Sequence, residues 1–224
     1  MAMNVATRLF NADEYYKMAE AGILKSGERL ELIGGKITLQ RAEGATQRKF
    51  TVDEYYKMAE VGLLNEDDRV ELIDGEIIQM SPIGTRHFKC VNRLNKLLSK
   101  LIPDNLVVSV QNPVRIDEGN EPQPDVAIVP DDSDAKHIFP KDVLLLIEVA
   151  DSTYYEDRNI KIPMYARAGI PEVWLANLPK NTIEAFSNPV NGSYTEIRLV
   201  NVSDKLQSRR LPSVVIEVGK VLNI

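Results

Sequence analysis

Two carboxylates stand where a buried strand would ordinarily carry none. Asp125 follows Pro124 at the start of the apolar run Val126 to Val129, and Glu148 lies in Ile147-Glu148-Val149 near the end of the next run, Val143 to Ala150. An ionised carboxylate beside apolar strand residues is costly unless something pairs with it, and a divalent cation is the partner that two neighbouring carboxylates serve best. The chemistry open to such a site is phosphodiester hydrolysis. That reaction needs an activated water, neutralised charge on the transition state and a stabilised leaving oxygen, and Mg²⁺ or Mn²⁺ on acidic oxygens assists all three. Lys161 falls on the segment directly after the Glu148 strand, where its ammonium could orient the water or stabilise a phosphate oxyanion. Each residue also has a plainer reading: Asp125 as a turn residue behind a proline, Glu148 as half of a strand-end ion pair. Pro163, two residues beyond Lys161, breaks or kinks a helix unless it occupies the first turn.

The elements that must carry these groups are legible from periodicity. Strands are predicted over Leu106 to Ile116, Pro124 to Val129 and Val143 to Ala150, the last with the Leu/Ile/Val run of a central strand covered on both faces. A helix carrying Lys161, Tyr165 and Arg167 ends at Gly169, and a strand resumes over Glu172 to Ala176. This strand-helix-strand crossover favours parallel pairing with right-handed connection. Thr182 to Phe186 and Tyr194 to Val200 flank Asn191-Gly192, a hairpin turn signal, and Val214 to Val218 reads as a last strand of an antiparallel, structural tail.

Before these strands, a helix is predicted from about Thr85 to Leu101. Phe88, Val91, Leu94, Leu98 and Leu101 form an apolar stripe, while Arg86, Lys89, Arg93, Lys96 and Lys100 follow the same spacing on the opposite side, with no acid between them. By base rate that cationic stripe is the solvated face of an amphipathic helix. It is also the one local positive surface along which an acidic protein could track a phosphate backbone. His87, at the start of this helix, is a candidate phosphate or water contact, with surface capping as its alternative.

The N-terminal part is an internal duplication. Phe10 to Ile37 returns forty positions later as Phe50 to Ile77, with 17 of 28 positions identical. Each copy reads as a short helix, capped by Asn11 or Thr51 with Glu14 or Glu54 three residues on, followed by a turn and a strand. Asp74 and Glu76 of the second copy are Gly34 and Lys36 in the first, so the charge at the strand end changes sign. The second copy is expected to belong to the core domain, residues 50–224, with residues 1–49 as an appended, non-catalytic duplicate. The alternative is that both copies widen a sheet or cover its edge.

Composition bounds the function. The 224 residues are 44% hydrophobic and 27% charged, ordinary for a folded globular protein. No apolar run approaches the roughly 20 residues that span a bilayer, and the first residues lack an apolar signal core, so a cytoplasmic location is expected. A single cysteine, Cys90, rules out an intramolecular disulfide and multi-thiolate zinc sites. The net charge of −6 excludes a generally basic nucleic-acid coat protein and confines any nucleic-acid site to a local patch.

The ordered segments PQPDVAIV, LLLIEVADST and DRNIKIPMYARAGIPEVWLAN, preceded by RVELIDGEIIQMSPIGTRH, resemble the Uma-two family of endonucleases in the PD-(D/E)XK superfamily, over about Phe50 to Ile224. The resemblance implies an α/β, restriction-endonuclease-like core with a mixed central β-sheet flanked by helices. It also implies Mg²⁺ (or Mn²⁺) dependence and cleavage of nucleic acid, with DNA as the expected polymer. Asp125 and Glu148 match the metal-binding acids and Lys161 the family's lysine. Glu71 matches an acidic position of the family that would complete the metal's outer ligation, although its counterpart Glu31 in the first copy speaks nearly as strongly for a structural role such as a cross-strand pair with arginine. The superfamily's usual lysine position, two residues after the acid, holds Ala150, so the ammonium must come from the helix. A homodimer is expected, because two symmetry-related sites most simply cut both strands of a duplex. A catalytically idle binding or interaction protein on the same scaffold is the competing reading.

Overall fold

The computed structural model describes residues 6–222 apart from 66, 133 and 134. The chain forms two compact units, one of residues 1–81 with 117–121, the other of residues 82–116 with 122–224. Both copies of the duplication lie in the first unit.

Each copy begins with a nine-residue helix, α1 (Ala12–Glu20) or α2 (Val52–Glu60). Both start with the expected capping box: Asn11 and Thr51 side chains accept from the Glu14 and Glu54 amides at 2.9 and 3.2 Å, and each glutamate accepts from the cap residue's own N–H. Where one strand was expected after the helix, each copy folds a hairpin. The first is β1 (Leu30–Ile33) with β2 (Lys36–Arg41), joined by β3 (Gly44–Gln47) along β2; the second is β4 (Val70–Ile73) with β5 (Glu76–Gln79). The reason is turn chemistry. Gly34-Gly35 and Asp74-Gly75 all take positive φ, as a two-residue hairpin loop of the favoured hand requires. The unit's core joins Phe10, Met18, Ile23, Leu24 and Ile37 to their counterparts Phe50, Met58, Leu63, Leu64 and Ile77.

The second unit is built on a six-stranded mixed sheet. Helix α3 (Thr85–Leu98) precedes β6 (Leu106–Val110), β7 (Val126–Pro130) and β8 (Leu145–Ala150). A short helix α4 (Tyr154–Glu156), one π-helical turn over Asp157–Lys161 and α5 (Ile162–Arg167) lead to β9 (Glu172–Asn177), β10 (Thr182–Val190) and β11 (Ser193–Asn201). The small pair β12 (Lys205–Gln207) and β13 (Val215–Glu217) and helix α6 (Val218–Leu222) close the unit. The strand order is β11-β10-β9-β8-β7-β6. Only β8 and β9 pair in parallel, as the crossover predicts; the other neighbours are antiparallel, and Asn191-Gly192 makes the β10–β11 turn with both φ positive. Every residue of β8 and β9 is buried, so the central strands are covered on both faces.

Two sequence expectations shift at the margins. Strand β6 stops at Val110, six residues early, because Gln111 takes φ 52° and Pro113 cannot donate to a ladder. The apolar stripe of α3 runs through Cys90, Val91, Leu94 and Leu98, whereas Phe88 is 55% exposed. One turn below Val91 the inward position belongs to His87, so Phe88 turns outward. Among the described residues no helix is long and apolar enough to cross a membrane.

Candidate active site

Strand register brings the two predicted acids together. Val126 of β7 faces Ile147 of β8 in an antiparallel pair, so the residue before the first, Asp125, lies opposite the residue after the second, Glu148. Asp125 is held from three directions. The Val149 amide donates to Oδ2 at 2.8 Å, His87 Nε2 lies 2.9 Å from Oδ1 and 3.0 Å from Oδ2, and Gln111 Nε2 donates to Oδ1 at 3.4 Å. His87 Nδ1 is buried with no hydrogen-bond partner. A buried N–H without an acceptor costs more than a buried lone pair, which assigns the proton to Nε2, donating to Asp125.

Glu148 is 2% exposed. Its Oε1 accepts from the Tyr165 hydroxyl at 2.6 Å and lies 3.7 Å from Lys161 Nζ. Lys161 Nζ is also 3.9 Å from Asp157 Oδ1, and Asp157 Oδ2 accepts from Thr153 Oγ1 at 2.7 Å. Burial is the largest influence on Glu148 and pushes its pKa well above the usual carboxylate range; Asp157 and Asp125 push the same way, while Lys161 and the Tyr165 hydrogen bond oppose. Glu148 and Asp157 thus flank the Lys161 ammonium, and burial favours the protonated form of Glu148.

The local fold explains how Lys161 reaches this place. Pro163 occupies the second position of α5, its ring unable to donate and pressing on the carbonyl four residues back. The chain answers with the π turn over Asp157–Lys161, in which Ile162 N–H reaches Asp157 O. The proline thus widens the helix rather than breaking it. Lys161, 8% exposed, is aimed inward at the end of that widened turn.

Asp157, Tyr165, Thr153 and Gln111 take part in this network without having been marked as site residues. Asp157, Lys161 and Tyr165 are spaced at four-residue intervals, which puts them on one helix face, and that spacing was the available signal. Gln111 gave none, since its contact arises from the bend that ends β6.

The expected cationic track is only partly available. Arg86 donates to the Leu178 carbonyl at 2.7 Å and lies 3.6 Å from Asp151, and Arg93 donates to the Val221 carbonyl at 3.5 Å. Both guanidinium groups are thus tied to the unit's own backbone. Lys89, Lys96 and Lys100 are exposed. His87, expected as a nucleic-acid contact, is instead bonded to Asp125. Glu71 belongs to the first unit, on β4, and is buried at 6%, whereas its counterpart Glu31 is exposed and accepts from Gln40 at 2.8 Å. The two glutamates therefore do not share one structural role. Cys90 is free, and burial pushes its thiol up to about 12.

As to what could hold an ion, no group of three or more histidine, cysteine, aspartate or glutamate side chains suited to a metal occurs among the described residues. The donor set on hand is the Asp125–Glu148 pair. That fits Mg²⁺, which is typically bound through one or two carboxylates and keeps several waters for substrate phosphates to displace.

The sequence profile of the Uma2 family, described as "Putative restriction endonuclease", matches residues 52–219. The chain belongs to this family. The match begins inside the second copy of the duplication, so the first copy lies outside it. Among solved structures, "a putative nuclease belonging to DUF820 from Anabaena variabilis ATCC 29413" superposes with a TM-score of 0.62 at 16% identity, over 78% of this chain and 98% of that one. The likeness shows a shared fold, the α/β architecture with a mixed central sheet. No curated protein matches the chain. Membership in the Uma2 family supports a nuclease.

Proposed function

We propose that this Uma2 family chain is a Mg²⁺- or Mn²⁺-dependent endonuclease that hydrolyses phosphodiester bonds of nucleic acid, with DNA as its polymer. The observation that carries the reading is the register of β7 and β8, which sets Asp125 opposite the buried Glu148, with Lys161 Nζ 3.7 Å from Glu148 Oε1. Asp125 and Glu148 would hold a divalent cation, which two neighbouring carboxylates serve well. When bound, the ion supplies Lewis-acid stabilisation of phosphate charge.

The chain's own residues do the rest. His87 and the Val149 amide fix the orientation of Asp125, and Tyr165 fixes Glu148 Oε1, so both acids are preorganised. Lys161, 3.7 Å from Glu148 Oε1 and 3.9 Å from Asp157 Oδ1, would offer N–H donors to a phosphate oxygen. Lys89, Lys96 and Lys100 on the outer side of α3 are the available phosphate-backbone contacts, and pairing of two chains would supply a second active site for the opposite strand.

The test is plasmid nicking. Purified protein should nick supercoiled DNA with Mg²⁺ or Mn²⁺ and not with EDTA, and Asp125→Ala and Glu148→Gln should each lose activity by about 10³-fold or more, the scale of losing a central electrostatic element. Nicking that survives unchanged in purified Asp125→Ala would rule out this site. Linear duplex, single strands and RNA in parallel decide the polymer.

A further inference from the structure

The duplication is not used by the site described above, and its two copies are related by reciprocal contacts. Arg8 pairs with Glu14 at 2.6 Å within the first copy and donates to the Leu63 carbonyl of the second at 3.0 Å. Arg48 pairs with Glu54 at 2.7 Å within the second copy and donates to the Ile23 carbonyl of the first at 3.2 Å. These residues differ in number by forty throughout. The backbone repeats the pattern: Arg8 N–H donates to Ile77 O and Arg48 N–H to Ile37 O, both at 2.8 Å. Lys17 donates to the Gly62 carbonyl at 3.3 Å, and Lys57 Nζ comes as close to Gly22 as Lys17 Nζ does to Gly62. Phe10 and Phe50 meet edge to face at 6.0 Å, each under its own arginine.

A set in which i touches j of the other half while j touches i is the signature of an isologous, two-fold interface. Between subunits it would be called a homodimer; here both halves belong to one chain. The sequence differences respect it. Phe10, Met18, Leu24 and Ile37 are buried and identical to Phe50, Met58, Leu64 and Ile77, and among these buried core pairs only Ile23 and Leu63 differ. Six divergent positions, Asn11, Lys25, Ser26, Gly27, Gly34 and Lys36, are exposed, while at a further one Ala12 is exposed and its counterpart Val52 is buried. Even the change of charge is settled within each copy: Lys49 binds its own hairpin's Asp74 and Glu76 at 3.2 and 2.7 Å, and Leu9 packs on its own Gly35.

We propose that the face of the second copy covered by the first is a self-recognition surface whose fitting partner is another second copy, residues 48–79. The first copy fills that surface within the chain, so two chains do not pair through it.

Two full-length variants test this. In one, residues 9–37 receive the side chains of 49–77, which includes Leu9→Lys, Ile23→Leu, Gly34→Asp and Lys36→Glu. Identical copies should pair as well as the natural ones, so the chain keeps the parent's oligomeric state and melts cooperatively within roughly 5 °C of the parent. Loss of the cooperative transition, or a fall of more than roughly 10 °C, overturns the proposal. In the other, Met18→Asp with Ile23→Asp disables the first copy's core and frees the second. Light scattering should then report twice the parent's mass, and Phe50→Asp should return it to the parent's value. A mass unchanged from the parent's before that third change, or a polydisperse aggregate, overturns it as well.

Discussion

Replacing Glu148 with glutamine should make the metal-free protein more stable while abolishing its proposed chemistry, and the gain should depend on pH in a defined way. Burial, joined by Asp157 and Asp125, holds the Glu148 pKa well above its unfolded value of about 4.3. Between those two values the folded protein keeps a proton that the unfolded chain has released, so folding stability falls as pH rises through the window. The slope is about 1.4 kcal/mol per pH unit while proton uptake differs by one, and the loss is complete once pH passes the folded value. Glutamine keeps an oxygen for the Tyr165 hydroxyl and never ionises. The advantage of Glu148→Gln should therefore be negligible at low pH, grow by roughly 3–5 °C in melting temperature per pH unit, and then level off. The assay is thermal unfolding of both proteins in EDTA from pH 4.5 to 8.5. A difference that is flat with pH, or a variant less stable than the parent at pH 8, would refute the claim that desolvation dominates this carboxylate. Added Mg²⁺ should then raise the parent's melting temperature and leave that of the variant in place, since only a folded state that binds the ion gains from it.

Three further outcomes follow from the same geometry. Tyr165→Phe removes a hydrogen bond to a buried acid and should cost about 1.5–3 kcal/mol in urea unfolding, with nicking reduced because Glu148 Oε1 is no longer fixed. Arg48→Ala leaves the part-buried Glu54 without its two-pronged partner and should cost about 3–5 kcal/mol. Because Arg48 lowers the pKa of Glu54, that penalty should be present at neutral pH and shrink as pH falls through the carboxylate range. Reversing Lys89 and Lys96 to glutamate should lower DNA affinity and flatten its salt dependence by about one in log–log slope for each phosphate no longer neutralised. Arg86→Ala should act instead on stability, because it removes the hydrogen bond to the Leu178 carbonyl and the ion pair with Asp151. Filter binding at several salt concentrations separates the two.

Local chemistry was readable wherever it was confined to a few neighbouring residues. The capping boxes at Asn11 and Thr51, the buried run of β8, the Asn191-Gly192 turn and the crossover that makes β8 and β9 parallel all depend on side chains within one or two turns of each other, so the sequence carries them outright. It also placed Asp125 at the start of one apolar run and Glu148 near the end of the next, while the register that sets them opposite each other came from the sheet. What it did not decide was anything that requires a partner distant in the chain. That His87 rather than Phe88 faces inward follows from the drift of a helical stripe against a sheet, and its bond to Asp125 spans 38 residues. Arg86 and Arg93 looked like free cations because their acceptors, the carbonyls of Leu178 and Val221, are backbone atoms that no residue type announces. The same holds for the duplication: the sequence shows two similar copies, and only tertiary packing shows them embracing across a two-fold axis, because reciprocity is a property of contacts and not of composition.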